Sequence, residues 1–119
     1  MTDTGRIKME DYQGVLYCDA YMDDEFTLAD LESMCAELRK NYSPPADVIL
    51  RKTGSYSVTL EAQTVLTKGV KEFRNFVYVA VGLAKRESAK YAADSYMRLY
   101  NPRVASTKQE AYMMLKEGQ

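Results

Sequence analysis

One short segment of the sequence carries the side chains best suited to holding a charged or phosphorylated group. Its members are Arg51, Lys52, Tyr56, Ser57 and Thr59. The segment lies between a predicted strand and a predicted helix, which is where phosphate-binding loops are found. It contains a single glycine, and neither of the two glycine-rich phosphate motifs occurs in it. The absence of both glycine-rich motifs therefore argues against a nucleotide site in this segment.

The hydroxyl groups of this segment have two interpretations. A phosphate on Ser57 would be favoured by the N–H groups of the following helix and by the charges of Arg51 and Lys52. Alternatively, Ser57 or Thr59 caps that helix and does nothing more. The residues themselves leave both interpretations open.

A second group of side chains could bind a divalent cation, because carboxylate oxygens are the ligands that Mg²⁺ and Ca²⁺ prefer. The group comprises Asp19, Asp23, Asp24, Glu25 and Asp30. It lacks the spacing and the glycine of an EF-hand loop, and acidic residues at a helix start are favoured by the helix dipole in any case. We therefore expect no metal site and no cofactor.

The chain contains no histidine. This excludes Ser–His and Cys–His nucleophile pairs and histidine-ligated zinc. Cys18 falls in a predicted strand and Cys35 on the apolar face of a predicted helix, where buried free thiols are expected. An enzyme would have to use carboxylates, lysine or tyrosine, and it would need an ionisable group with a strongly shifted pKa in a closed cleft. We expect a protein that is not an enzyme.

Length and charge narrow the remaining classes of function. The 119 residues are expected to form one domain, 1–119. Sixteen basic and seventeen acidic residues give a net charge of −1, so we expect no nucleic-acid partner. No apolar run approaches the roughly 20 residues of a membrane span, and the first residues do not resemble a signal peptide. We therefore expect a cytoplasmic protein without a membrane partner.

The aromatic composition is the best indication of a binding surface. The chain has ten tyrosines, seven methionines and no tryptophan. Each buried tyrosine hydroxyl needs a hydrogen-bond partner, so some of these rings are expected to line a groove or a homodimer face. Alternatively, they are half-buried with hydrated hydroxyls, or they hold an apolar small molecule between helices and sheet.

The hydrophobic pattern predicts an α/β fold with a mixed sheet of about five strands. The sheet opens with a β-hairpin, and the helices pack mainly on one of its faces. The predicted strands are 6–11, 15–21, 47–51, 75–82 and 103–105. The predicted helices are 27–42, 57–69, 87–100 and a last one capped by Thr107 and Glu110. The second helix is expected to begin at Ser57 or Thr59 and to bury Leu60, Val65, Leu66 and Val70.

The end of the chain carries a family resemblance. Pro102-Arg103-Val104, a Ser106-Thr107 cap and a helix with Glu110-Ala111 and Leu115 resemble the tail of the bacterial SpoIIAA-like members of the STAS family. The resemblance implies a SpoIIAA-like fold and a cytosolic regulatory or binding domain. In the anti-sigma-factor antagonists of that family, a serine at the start of the helix after the third strand is phosphorylated, and Ser57 is the closest positional match here. The Asp-Ser-Ser-Gly signature of those antagonists is missing.

Together, these observations predict a non-enzymatic domain that binds another protein. The expected contact surface comprises the loop 53–59, the start of the second helix, and the third helix around 85–96. Tyr56 would anchor the contact, while Ser57 and Thr59 cap the helix or accept a phosphate. Two alternatives are a carrier or sensor of an apolar small molecule or lipid, and a phosphorylation-controlled anti-sigma-factor antagonist. A homodimer is a further possibility.

Overall fold

The computed structural model describes residues 1–117, which form eight strands, four α-helices and one 3₁₀ turn. The strands are β1 (Thr2–Asp3), β2 (Ile7–Tyr12), β3 (Val15–Ala20), β4 (Glu25–Phe26), β5 (Ala46–Lys52), β6 (Ser57–Val58), β7 (Phe73–Val79) and β8 (Arg103–Ala105). The helices are α1 (Leu28–Asn41), α2 (Leu60–Lys68), α3 (Leu83–Asp94) and α4 (Lys108–Glu117), and the 3₁₀ turn is Arg98–Tyr100.

Six strands form one mixed sheet in the order β1-β2-β3-β5-β7-β8. The opening hairpin β2–β3 is antiparallel, whereas β3, β5, β7 and β8 run parallel and are connected through helices. The sheet confirms the predicted mixed α/β architecture, with the two-residue β1 added at its edge. A separate short ladder pairs β4 with β6.

The two faces of the sheet bury different side chains, because neighbouring residues of a strand point to opposite faces. On one face Leu50 joins a large core with α1, α2 and α3, to which Leu31 and Leu66 belong. On the other face Ile49 packs in a smaller core beneath α4, which contributes Leu115. Three helices therefore cover one face and a single helix covers the other.

Helix α1 begins where the sequence predicts. The Thr27 hydroxyl accepts a hydrogen bond from the Asp30 amide, and the Thr27 amide donates to the Asp30 carboxylate at 2.8 Å, so the capping box is complete. Asp30 is buried and is neutralised by Arg6, whose Nε lies 2.9 Å from its Oδ1. This ion pair fixes the loop before β2 to the start of α1.

The structure selects Thr59 from the two predicted starts of the second helix and corrects its predicted buried face. Its N-cap is Thr59, whose hydroxyl accepts from the Ala62 amide, while Ser57 lies in β6 and does not cap. Leu60 is 75% exposed, and Ala62 and Leu66 are the buried residues of the helix. An N-cap at Thr59 places Leu60 at the first helical position, outside the stripe that faces the sheet. Gly69, expected to be either a weak point or the end of the helix, is its C-cap.

The prediction of one helix over 87–100 is wrong at both ends. Helix α3 already begins at Leu83 and ends at Asp94. The Ser95 hydroxyl donates to the Tyr91 carbonyl at 2.6 Å, and such a bond competes with the helical pattern of the backbone. The chain resumes as the 3₁₀ turn, and the Tyr100 hydroxyl then accepts from the Val70 amide and donates to the Leu66 carbonyl.

The loop after β5 is attached to the loop after β3 by its backbone. The amides of Thr53 and Gly54 both donate to the Ala20 carbonyl, at 3.2 and 3.0 Å. A Cβ atom on Gly54 would lie 1.8 Å from the Met22 carbonyl oxygen, so only glycine fits there. The Ser55 amide donates to the Asp23 carboxylate at 2.9 Å. The segment singled out in the sequence therefore has a fixed backbone.

Within residues 1–117 no helix is both long and apolar enough to cross a membrane.

Candidate ligand site

The most unusual side chain in the structure is Lys52, the last residue of β5. Only 6% of its surface is exposed, and its amine lies 3.8 Å from the centre of the Tyr56 ring and 6.0 Å from that of Tyr78. Among the described residues no carboxylate forms an ion pair with this amine and no group accepts a hydrogen bond from it. Burial, and secondly the charge of Lys85, lower the pKa of Lys52 to about 8.

An apolar pocket lies on one side of Lys52, between the sheet and the helices. Its walls come from the sheet, from α1 and α2, from the segment after α3 and from the β4–β6 ladder; they are Phe26, Leu31, Met34, Leu50, Lys52, Tyr56, Val58, Leu66, Phe73, Phe76, Tyr78, Tyr96 and Met97. These side chains leave a free volume of about 20 Å³, which is room for roughly one water molecule. A larger ligand therefore requires some of these side chains to move.

The tyrosines of the pocket are protonated at neutral pH. Burial raises the pKa of Tyr96 to about 12, and burial likewise raises the pKa values of Tyr56 and Tyr78. The Tyr56 hydroxyl is buried and has no hydrogen-bond partner. An unpartnered buried hydroxyl costs roughly 1–3 kcal/mol, which a ligand that bonds to it would recover.

A polar cleft lies on the other side of Lys52 and opens to solvent. Its volume is about 410 Å³, and it is lined by Asp24, Lys52, Gly54, Ser55, Tyr56, Ser57, Ala84, Lys85 and Ser88. The carboxylate in this set, Asp24, is bound by Arg6 at 3.1 Å. Lys52 and Lys85 are therefore the uncompensated charges of the cleft, since Lys85 donates only to the Thr53 carbonyl. Lys52 and Tyr56 belong to both cavities and separate one from the other.

The start of α3 adds a second source of positive potential to the cleft. Its N-cap is Gly82, with a φ of 93°, and no side chain caps the helix. The first helical hydrogen bond is donated by the Arg86 amide to the Gly82 carbonyl. The amides of residues 83–85 consequently have no partner within the helix, and Ala84 and Lys85 line the cleft.

The structure separates the five residues singled out in the sequence. Arg51 is exposed and lies with Ile49 on the α4 side of the sheet, away from Lys52. Tyr56 is buried between the pocket and the cleft, so it is not displayed as an anchor for a protein partner. Ser57 is exposed in the cleft wall, and Thr59 caps α2. A phosphate on Ser57 would thus lie near Lys52 but on the opposite face from Arg51.

Three of the acidic residues around the start of α1 form contacts within the protein. Asp24 and Asp30 bind Arg6, and Asp23 accepts from the Ser55 amide. In the described part of the chain no group of three or more carboxylates and thiols is placed to hold a metal ion. Cys18 and Cys35 are both free and buried, and burial raises the pKa of each thiol.

The sequence contained a signal for the pocket. Leu50 and Lys52 occupy alternate positions of one strand, so a buried Leu50 implies that Lys52 points to the same covered face. What the sequence could not supply is Tyr78, which lies in the next strand of the sheet and completes the aromatic surroundings of the amine.

Comparison with known proteins identifies the fold. A crystal structure of an uncharacterised protein of the DUF3478 family from Shewanella loihica, described as having a SpoIIAA-like fold, superposes with a TM-score of 0.60 at 16% sequence identity. The match covers 92% of this chain and 91% of that one. No protein-family model matches the sequence, and no curated protein matches it. The chain therefore has a SpoIIAA-like fold, as its tail predicts.

Proposed function

We propose that this SpoIIAA-like fold serves as a non-enzymatic binding domain that carries or senses a small molecule with an apolar body and a polar head. One observation carries the proposal: Lys52 and Tyr56 stand between an apolar pocket and a polar cleft, the Tyr56 hydroxyl has no hydrogen-bond partner, and the Lys52 amine has no counter-ion among the described residues. Buried polar groups are normally hydrogen-bonded and buried charges are normally paired, so these two side chains favour a ligand that pairs them. A cytosolic location remains a prediction.

The lining of the pocket suits an adaptable apolar ligand. Met34 and Met97 are flexible and polarisable, and Tyr96 is only partly buried at the edge. The free volume of about 20 Å³ is far below the roughly 300–1,000 Å³ of occupied ligand pockets, so binding requires these side chains to move apart. Displacement of Met97 and Tyr96 would make room for an alkyl or aromatic body.

The chemistry inside the pocket favours binding over catalysis. Lys52 has the lowered pKa that a lysine enzyme would need, but its titratable companions there are tyrosines. Their raised pKa values lie far from neutral pH, where they transfer protons poorly. An amine with no acid or base beside it can hold a ligand but has no partner for a proton-transfer step.

The proposal can be tested by thermal unfolding in the presence of alkyl compounds. We expect unbranched alcohols and acids of eight to twelve carbons, a range chosen as a probe, to raise the melting temperature. A ligand present at one hundred times its Kd adds about 2.7 kcal/mol of stability, which corresponds to roughly 10 °C for a domain of this size. No shift with any chain length would refute the proposal.

A matched pair of variants identifies the site. Val58→Trp fills the pocket from its half-buried edge and should abolish the shift. Val104→Trp changes a half-buried valine of β8 outside the pocket and should leave the shift in place. Equal loss in both variants would mean that the compounds bind elsewhere.

A protein partner is the second candidate, favoured by exposed apolar residues at the turn before α3. Val81 is 61% exposed and Leu83 is 78% exposed, on either side of Gly82. Large apolar side chains that are exposed together often mark an interaction surface. A second copy of this chain is the protein partner that can be tested directly. If the chain self-associates, its sedimentation coefficient should rise with protein concentration. The double variant Val81→Glu with Leu83→Glu should remove that rise. A concentration-independent monomer would exclude a homodimer through this turn.

A further inference from the structure

The cleft outside the apolar pocket has the character of an anion site. Two lysines, three serine hydroxyls and the uncapped start of α3 converge there, and its carboxylate, Asp24, is already neutralised by Arg6. The serines are Ser55, Ser57 and Ser88. The uncompensated charges of this set are therefore positive, and its hydroxyls and helix amides can donate hydrogen bonds.

Lys52 is a second, independent indication that the cleft binds a negatively charged group. A helix start alone attracts anions weakly, but the Lys52 residue is more than nine-tenths buried, lines both cavities and has no counter-ion among the described residues. A buried charge without a partner destabilises a protein unless something neutralises it. The two aromatic rings beside the amine offset only part of that loss.

We infer that the head of the ligand is a carboxylate or phosphate group, held in the cleft by Lys52, by Lys85 and by the free amides at the start of α3. The apolar body would extend past Lys52 into the pocket, since Lys52 and Tyr56 line both cavities. The Tyr56 hydroxyl, which lacks a partner, can donate to an oxygen of the same head group. This inference deepens the proposed function, but the anion site can be tested separately from the apolar pocket.

The test compares four ten-carbon probes that differ only in the head group. Decanoate, decyl phosphate, decanol and decylamine are titrated into the protein at pH 7 by calorimetry, below their critical micelle concentrations. We expect the two anions to bind about tenfold or more tightly than decanol, as a charge-assisted contact in a partly buried site permits. We expect decylamine to bind least well. Equal affinity of decanol and decanoate, or a preference for decylamine, would overturn the inference.

Two variants assign the preference to the cleft. Lys52→Met should bring the affinity for decanoate to that of decanol while leaving the affinity for decanol within about twofold, because methionine keeps the apolar wall. Lys90→Met, at an exposed position of α3 outside the cleft, should change nothing. A preference for anions that survives in Lys52→Met would refute the role of Lys52.

Inorganic phosphate separates the anion site from the proposed function. Titration with phosphate, followed by amide chemical shifts, should perturb the amides of residues 83–85 in the native chain and not in Lys52→Met. If phosphate binds while none of the ten-carbon probes does, the cleft takes a free anion: the inference about the head group stands and the proposed apolar ligand is wrong. If decanol binds, phosphate does not bind, and the alkyl anions bind no more tightly than decanol, the proposed apolar ligand stands and the inference about the head group is wrong. Binding of none of the probes refutes both.

Discussion

Replacement of Lys52 by methionine is expected to stabilise the protein at neutral pH. The lysine pKa falls from 10.5 to about 8 on folding, and at roughly 1.4 kcal/mol for each pH unit this corresponds to about 3 kcal/mol. Loss of the contact with the Tyr56 ring takes back about 1–2 kcal/mol. We therefore expect Lys52→Met to increase the free energy of unfolding by about 1–2 kcal/mol, or about 4–8 °C in melting temperature.

The sign of the pH dependence follows from the same group. Between pH 8 and 10.5 the unfolded chain binds a proton at Lys52 that the native chain has released, so native stability rises with pH in this window. Below pH 8 both states are protonated, and the full destabilisation by the buried charge is present. The advantage of Lys52→Met should therefore be largest at pH 7 and should shrink as the pH approaches 10.

Urea unfolding followed by circular dichroism at pH 7.0, 8.5 and 9.5 measures both quantities. The difference between the two chains cancels contributions that they share, such as the titration of buried tyrosines. Lys90→Met is the control, because Lys90 is exposed and its replacement should give no pH-dependent gain. A Lys52→Met chain that is less stable than the native one at pH 7, or whose advantage does not fall with pH, would show that the amine is not an uncompensated buried charge.

Three further predictions concern contacts that hold the site in place. Tyr100→Phe should lower the free energy of unfolding by about 1–3 kcal/mol in urea, because two buried backbone groups lose the hydroxyl they bind. Arg6→Met should lower it by about 3 kcal/mol in the same assay, because the buried Asp30 carboxylate then has no cation beside it. Gly54→Ala should lower the melting temperature by about 10 °C or more, since its Cβ would overlap the Met22 carbonyl and the loop would have to shift.

Each of the three has a matched control in the same chain. Tyr91→Phe removes the hydroxyl of a tyrosine that is 69% exposed and should leave stability unchanged. Arg51→Met removes an exposed arginine that forms no ion pair in the described part of the chain, and Ser55→Ala adds no atom to the loop. An effect of these controls as large as that of their partners would contradict the contacts described.

Local signals in the sequence predict much of this fold. Thr27 and Asp30 have the spacing of a capping box, and both of its hydrogen bonds are present. Gly69 ends α2 as expected because glycine tolerates its φ of 115°. The β-branched and apolar stretches around Ile49 and Val77 form the central parallel strands. These features depend on residues that are close together in the chain, so they can be predicted from a single sequence.

The features that create the candidate site depend on residues that are distant in the chain. The β4–β6 ladder consists of two-residue strands, too short to show a period, yet it positions Phe26 and Val58 at the pocket. The break at Ser95 interrupts a continuous alanine-lined stripe that reads as one helix. Lys52 reads as the first polar residue of a loop, and its burial follows only when the rings of Tyr56 and Tyr78 close over it.

The backbone attachment of the loop at residues 53–55 has a consequence for the speed of ligand capture. Its amides are already bonded to Ala20 and Asp23. Fixing one residue of a mobile loop costs roughly 1–2 kcal/mol of conformational entropy. Here the loop is ordered when the protein folds, so ligand binding does not bear this cost. If an anion binds in the cleft as proposed, it would meet a surface that is already formed and would not wait for the loop to order. Its association would then be limited by diffusion and orientation, and the positive charges of the lysines would accelerate it at low ionic strength.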